Sequence, residues 1–158
     1  MRYLHVHTST QVMELKHNDR VLFAYLISTA RNGLGEKEGS FQTPRGWHRV
    51  NSKIGAAADQ HAVFVSREAT GEIYTPALAQ VDLNRDWILG RVFCLEGLEQ
   101  GVNRGGEVDS LARYIYIHGT ADVASLGEPS SRGCIRMAPV DITCLFDHID
   151  VHCKVLIE

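Results

Sequence analysis

The longest uninterrupted apolar run in this chain, residues 21–27, is seven residues long. A membrane-crossing helix needs roughly 20, so no membrane span is expected. Seven residues is instead the length of a strand, and runs of that kind recur along the chain. Residues 3–7, 11–16 and 21–28 read as strands, with the polar His17-Asn18-Asp19-Arg20 as a hairpin turn between the last two. Further strands are expected at 46–50, 62–67, 88–95, 113–117 and 153–157. Two glycine-rich segments, 31–45 and 96–112, read as long loops, and loops of that length tend to be functional. One helix stands out. Pro139 suits a first helical turn, and Ile142, Leu145, Phe146 and Ile149 then recur on one apolar face. With 158 residues, about one domain spanning 1–158 is expected, mostly β, with long loops and a single late helix.

Charge and cysteine usage exclude several partners. Sixteen Lys+Arg against nineteen Asp+Glu leave a net charge of −3. Duplex binding normally requires a basic excess, so nucleic acid is not an expected partner. Twelve of those sixteen cations are arginines, the side chain suited to gripping carboxylates bidentately. Cys94, Cys134, Cys144 and Cys153 are scattered and form no C-x-x-C pair, which disfavours a disulfide framework or a zinc ribbon. Core packing is the expectation for Cys94, Cys144 and Cys153. His5-x-His7 has the spacing of a metal pair on one strand face, but no third ligand is recognisable, so no metal is expected. His5, His7, Glu14 and Lys16 interrupt any leader-type apolar segment. Read with Met1 as the native start, the chain is expected in the cytoplasm; read as a trimmed mature domain, in the periplasm or cell wall.

The chemistry concentrates in Tyr114-Ile-Tyr-Ile-His118-Gly119-Thr120 and Ser131-Arg132-Gly133-Cys134-Ile135-Arg136-Met137, with 12 residues between His118 and Ser131. The expected strand delivers His118 at its end, and a loop returns the chain to a tight turn holding Cys134. A free thiol is only a few per cent thiolate at neutral pH, and a neighbouring imidazole can take its proton and later return it to a leaving amine. The N–H groups of Gly133 and Cys134 can be aimed at a tetrahedral oxyanion.

These residues resemble the signature of L,D-transpeptidases (the YkuD-type catalytic domain): a His, a spacer, then Ser/Thr-His-Gly-Cys followed by a hydrophobic residue and Arg or Asn. Ser28-Thr-Ala-Arg-Asn-Gly33, Thr43-Pro-Arg-Gly-Trp-His48, Lys53-Ile-Gly55, Arg104-Gly-Gly-Glu-Val-Asp109 and the 153–157 ending extend the likeness over nearly the whole chain. The resemblance implies a β-sandwich-like catalytic fold with its site under a long loop. It implies Cys134 as nucleophile, His118 as base oriented by the carbonyl of Gly119, Gly133 and Cys134 as oxyanion donors, and Ser131 and Arg136 as pocket residues, Arg136 holding a carboxylate. Tyr116, by its place in the alternating Tyr114-Ile-Tyr-Ile strand, and Arg132, beside the thiol, are further expected substrate-binding residues. The implied substrate is a peptidoglycan stem tetrapeptide, attacked at the L-centre carbonyl of its diamino acid. Terminal D-Ala leaves, and the acyl group passes to a stem amine or a free D-amino acid, with no cofactor. Acylation of Cys134 by carbapenems is implied as well. Arg132 departs from the pattern, standing where many members have His; a fixed cation there lowers a thiol pKa but shuttles no protons near neutrality. The alternatives are an L,D-carboxypeptidase that uses water as acceptor and a non-catalytic peptidoglycan-binding domain.

Overall fold

The computed structural model describes residues 1–158. Strands β1 (Arg2–His7), β2 (Val12–His17) and β3 (Arg20–Ser28) form the expected antiparallel meander. They are followed by β4 (Gly46–Ile54), β5 (Ala62–Val65), β6 (Glu68–Ile73), a short helix α1 (Pro76–Ala79), β7 (Ile88–Gly97), β8 (Tyr116–Thr120), β9 (Ile135–Met137), helix α2 (Pro139–Phe146) and β10 (Lys154–Ile157). The late helix starts on Pro139 as expected. Cys144 departs from expectation, because it lies on the exposed side of α2 rather than in the core, whereas Cys94 is fully buried.

All ten strands belong to one sheet, in the order β4-β10-β1-β2-β3-β9-β8-β7-β5-β6. β4 pairs with β7 as well as with β10, so all the strands except β5 and β6 close a ring. The two layers of the expected sandwich are therefore one continuous sheet folded onto itself. The β5–β6 hairpin branches from the start of β7, where the ladder is irregular between Leu89 and Val92. Strand alternation then sorts the side chains. Leu4, Val6, Met13, Leu15, Ile27 and Phe93 face the interior with Ile115 and Ile117, and α2 adds Ile142, Leu145 and Phe146 to that core. The opposite face of β7 and β8 presents Val92, Cys94 and Tyr116 to Phe64 and Ala62 of β5, with Cys134 packed at the margin.

Two strand boundaries differ from the sequence reading for identifiable reasons. The expected strand at 62–67 is broken because Ser66 and Arg67 both take positive φ (47° and 72°), which reverses the chain so that Glu68 pairs with Val65. A two-residue hairpin loop demands that conformation. The strand expected at 113–117 begins only at Tyr116. The Asp109 carboxylate accepts the Gly105 and Ala112 N–H groups and holds a turn, and Tyr114 sits at φ 57°. His118 consequently lies inside β8 rather than at its end.

Candidate active site

β8 and β9 run parallel with Ile117 opposite Ile135 and His118 opposite Arg136. Paired residues project to the same face, so Tyr116, His118, Cys134 and Arg136 all stand on one side of the sheet. Cys134 is the last residue of the turn that feeds β9, diagonally one step from His118. The register of two neighbouring strands thus brings together residues 16 positions apart.

The His118 ring is fully buried. Its Nδ1 lies 2.7 Å from the Gly119 carbonyl oxygen. A carbonyl only accepts, so Nδ1 carries the hydrogen and Nε2 keeps its lone pair. That Nε2 is buried with no hydrogen-bond partner. Gly119 also creates the room for this arrangement: a Cβ there would come within 2.4 Å of the Leu89 carbonyl oxygen on β7.

The Cys134 thiol donates to the Tyr114 carbonyl (3.4 Å) and accepts the Tyr116 N–H (3.3 Å); no hydrogen bond joins it to His118. Burial is the main cause that pushes this thiol up to about 12. The Tyr116 N–H, Arg136 and Arg113 pull it down, and Asp86 adds to the rise. Burial likewise lowers His118, against the opposing pull of Asp86 and the Gly119 carbonyl. Both groups are therefore neutral at neutral pH, a thiol and a free imidazole base.

The turn itself is held from a distant part of the chain. Gly133 sits at φ 136°, a conformation that favours glycine. The Ser131 N–H donates to the Thr29 carbonyl, and the Arg31 N–H donates back to the Ser131 carbonyl. The Thr43 hydroxyl donates to the Gly133 carbonyl (2.9 Å) and accepts the Ala30 N–H (2.9 Å). The Ser131 hydroxyl closes the turn, donating to the Cys134 carbonyl at 2.6 Å and accepting the Gly133 N–H at 3.1 Å. Of the two main-chain donors named from the sequence, that of Gly133 is engaged by Ser131 and that of Cys134 carries no hydrogen bond.

The remaining named residues separate into two groups. Ser131 is buried and occupied within the turn. Arg136 is paired with Asp86 at 2.8 Å and also donates to the Ser130 carbonyl, so its guanidinium is already engaged. Tyr116 has a buried hydroxyl without a partner, beside the Arg67 guanidinium that stacks over Tyr114. Arg132 is exposed and donates to the Asn84 carbonyl at 2.7 Å. It lines both cavities that meet at Cys134. One, about 300 Å³, is walled by Phe64, Val65, Ile88, Tyr114 and Tyr116. The other, about 280 Å³, lies under the 31–45 loop between Glu38, Phe41, Arg113 and Tyr114.

Three contributors were not singled out in the sequence. Asp86 neutralises Arg136 and raises both His118 and Cys134. Arg113 ties the 31–45 loop down by donating to the Glu36 and Gln42 carbonyls (3.0 and 2.8 Å). Thr43 bridges that loop to the turn. No motif marks Asp86 or Arg113. Thr43 falls in a stretch that carries the family likeness, without a role suggested by it.

Fold and site together define a β protein with a thiol and a half-satisfied imidazole on one sheet face, flanked by two cavities. The family model for the L,D-transpeptidase catalytic domain (YkuD) matches residues 1–157, and the chain belongs to that family. Solved structures agree in fold. An L,D-transpeptidase from Mycobacterium smegmatis is 19% identical, with a TM-score of 0.57 over 99% of this chain and 58% of its own. Residues 123–326 of an L,D-transpeptidase from Xylanimonas cellulosilytica are 16% identical, with a TM-score of 0.58 over 99% of this chain and 60% of that one. L,D-transpeptidase 3 from Mycobacterium tuberculosis, carrying a faropenem-derived adduct, is 14% identical, with a TM-score of 0.57 over 99% of this chain and 60% of its own. The chain thus spans less than two thirds of the solved proteins it matches. No protein of curated function matches it in sequence.

Proposed function

We propose that the chain is a cysteine-dependent L,D-transpeptidase acting on peptidoglycan stem peptides. The observation that carries this reading is the His118 ring: a carbonyl fixes its proton on Nδ1, and the buried, unpartnered Nε2 stands on the same face as the Cys134 sulfur. As the sulfur attacks the L-centre carbonyl of the diamino acid, the thiol proton passes to Nε2 and the carbonyl π-pair moves to oxygen. The Cys134 N–H, which makes no hydrogen bond within the protein, is the donor we assign to that oxyanion. Collapse breaks the C–N bond, and the imidazolium returns its proton to the departing D-Ala amine. The thioester is then opened by a second amine, whose proton goes to Nε2 as the thiol is regenerated. Because burial keeps both partners neutral, proton transfer accompanies attack rather than preceding it. The thiol must first leave the Tyr114 carbonyl, a bond of modest net strength, about 1 kcal/mol.

Two cavities meeting at one sulfur suit two-substrate transfer, one for the acyl donor and one for the acceptor amine. Arg132, on the border of both, has guanidinium donors beyond the one spent on Asn84 and is the residue we assign to a substrate carboxylate. Arg136 then acts through Asp86 as a positioning residue.

The test is incubation with disaccharide-tetrapeptide, with and without a free D-amino acid, followed by mass spectrometry of the products. Dimers or D-amino-acid exchange are expected, and Cys134→Ala removes both. Unchanged tetrapeptide, or turnover that survives Cys134→Ala, overturns the proposal. Tripeptide as sole product replaces transfer with hydrolysis. A covalent β-lactam adduct on intact mass, absent in Cys134→Ala, is expected by analogy with the faropenem-derived adduct of the mycobacterial relative.

A further inference from the structure

The His5-x-His7 pair, left without a third ligand in the sequence, acquires one in the fold. Leu4 and Val6 point into the core, so alternation places His5 and His7 together on the outer face of β1, with ring centroids 3.9 Å apart. β10 pairs in parallel with β1, Ile157 opposite Val6. The ladder continues one residue further. The Glu158 N–H donates to the Val6 carbonyl at 3.1 Å, and the Thr8 N–H and hydroxyl both donate to the Glu158 carbonyl at 2.8 Å. Main chain thus sets the Glu158 side chain beside the two rings, its carboxylate 2.8 Å from His5 Nε2.

We propose that His5, His7 and Glu158 bind one divalent transition-metal ion, Zn²⁺ by their chemistry, at a site separate from the cavities around Cys134. One ligand atom from each of the three lies within 4.8 Å of the others. Tetrahedral Zn²⁺ with bonds near 2.0–2.1 Å needs ligand atoms about 3.3 Å apart, a separation that side-chain rotation can supply on a fixed backbone. Two imidazoles and a carboxylate suit Zn²⁺, Ni²⁺ or Cu²⁺ and not the oxygen-seeking Mg²⁺ or Ca²⁺. A fourth side chain completes the surroundings. Glu14, opposite His5 on β2, makes a hydrogen bond to His7 Nε2. A carboxylate only accepts, so Nε2 holds the hydrogen and Nδ1 is left basic, which is the carboxylate–imidazole–metal arrangement. Two carboxylates against one lysine also leave the patch negative while the rings are neutral.

That lysine works against the ion. Lys16 Nζ donates to His5 Nδ1 at 3.2 Å, which keeps a hydrogen on Nε2 facing Glu158. A metal on Nε2 replaces that hydrogen and requires Lys16 to swing away. Bound metal would pin β1 to β10, adding a cross-link where the ring joins two parallel strands.

The test titrates the full chain with Zn²⁺ by calorimetry and with Co²⁺ by absorption. One ion per chain is expected, with Co²⁺ d–d bands and no thiolate-to-metal charge transfer. His5 is nearly buried, so the deciding variants are His7→Gln and Glu158→Gln, whose parent side chains are 27% and 62% exposed. Each is expected to weaken binding by at least about tenfold, whereas His61→Gln leaves it unchanged and Lys16→Met strengthens it. No stoichiometric binding up to about 100 μM free metal, a charge-transfer band that puts the ion on a cysteine, or unaltered affinity in both deciding variants overturns the proposal.

Discussion

His48 and His118 are both fully buried, and each has Nδ1 within reach of a nearby backbone carbonyl, Gly46 at 3.1 Å and Gly119 at 2.7 Å. Burial lowers the pKa of both. What separates them is one hydroxyl. Ser110 donates to His48 Nε2 at 2.8 Å, whereas His118 Nε2 has no partner. The first ring has spent its lone pair on holding β4 to the loop before β8. The second keeps its lone pair unspent, at the cost of an unsatisfied polar atom. Burial and a shifted pKa therefore do not tell these two rings apart; an unfilled acceptor on the same sheet face as a thiol does.

The largest expected effect tests that distinction directly. His118→Gln should lower transfer by about 10²–10⁴-fold, the range for losing a general acid–base group, with cooperative unfolding retained. His48→Gln should leave turnover within about twofold and cost stability instead. D-Ala release measured beside thermal melts checks both, and equal activity losses would erase the comparison.

Next comes acid sensitivity. The folded value of about 4 for His48 lies below its ordinary 6.5, so between those values the native state binds fewer protons than the unfolded chain. This ring's stabilisation is whole above about pH 6.5 and is lost as pH falls toward 4, by about 3 kcal/mol. Urea melts across that window should show the slope, and His48→Gln should remove this ring's share. A slope unchanged by the substitution would mean that other groups carry it.

The smallest effect concerns the anchoring of the thiol. Thr43→Val strands the Ala30 N–H and the Gly133 carbonyl in a buried place, at a cost of about 2 kcal/mol. Transfer should fall along with stability, because the same hydroxyl holds the turn that carries Cys134. Melts and D-Ala release again suffice, and a stable but inactive variant would sharpen the result further.

Much of the fold was legible where alternation and turn chemistry agree. The β1–β3 meander, β4, β7, β10 and the Pro139 helix start appear within a few residues of their expected positions. Ser66-Arg67 was missed because its left-handed turn lacks the Asn or Gly that usually marks one. Tyr114-Ile-Tyr-Ile looked like continuous alternation, yet Asp109 captures the preceding backbone and delays β8. β9 has three residues, too few to show a period, and is visible only through the Cys134 motif it follows. At the site, His118 and Cys134 were legible as a motif. Their orientation was not, because it depends on the parallel register of β8 and β9. The engagement of Arg136 by Asp86, the bridging by Thr43 and the arrival of Glu158 beside His5 are contacts between distant stretches, which no local spacing reports.

The segment before β9 has no scaffold of its own. The turn is held from outside by Thr29, Arg31 and Thr43, and the sulfur itself by the main chain of Tyr114 and Tyr116, all made before it; the strands that set these residues close their ring only when β10 arrives. Non-local pairing of this kind forms slowly. A growing chain therefore carries Cys134 as an ordinary flexible thiol, with a pKa near 8.5, and the closed sheet withdraws it from ionisation. Reagents that need a preformed thiolate should therefore meet Cys134 more readily during synthesis and refolding than in the closed sheet.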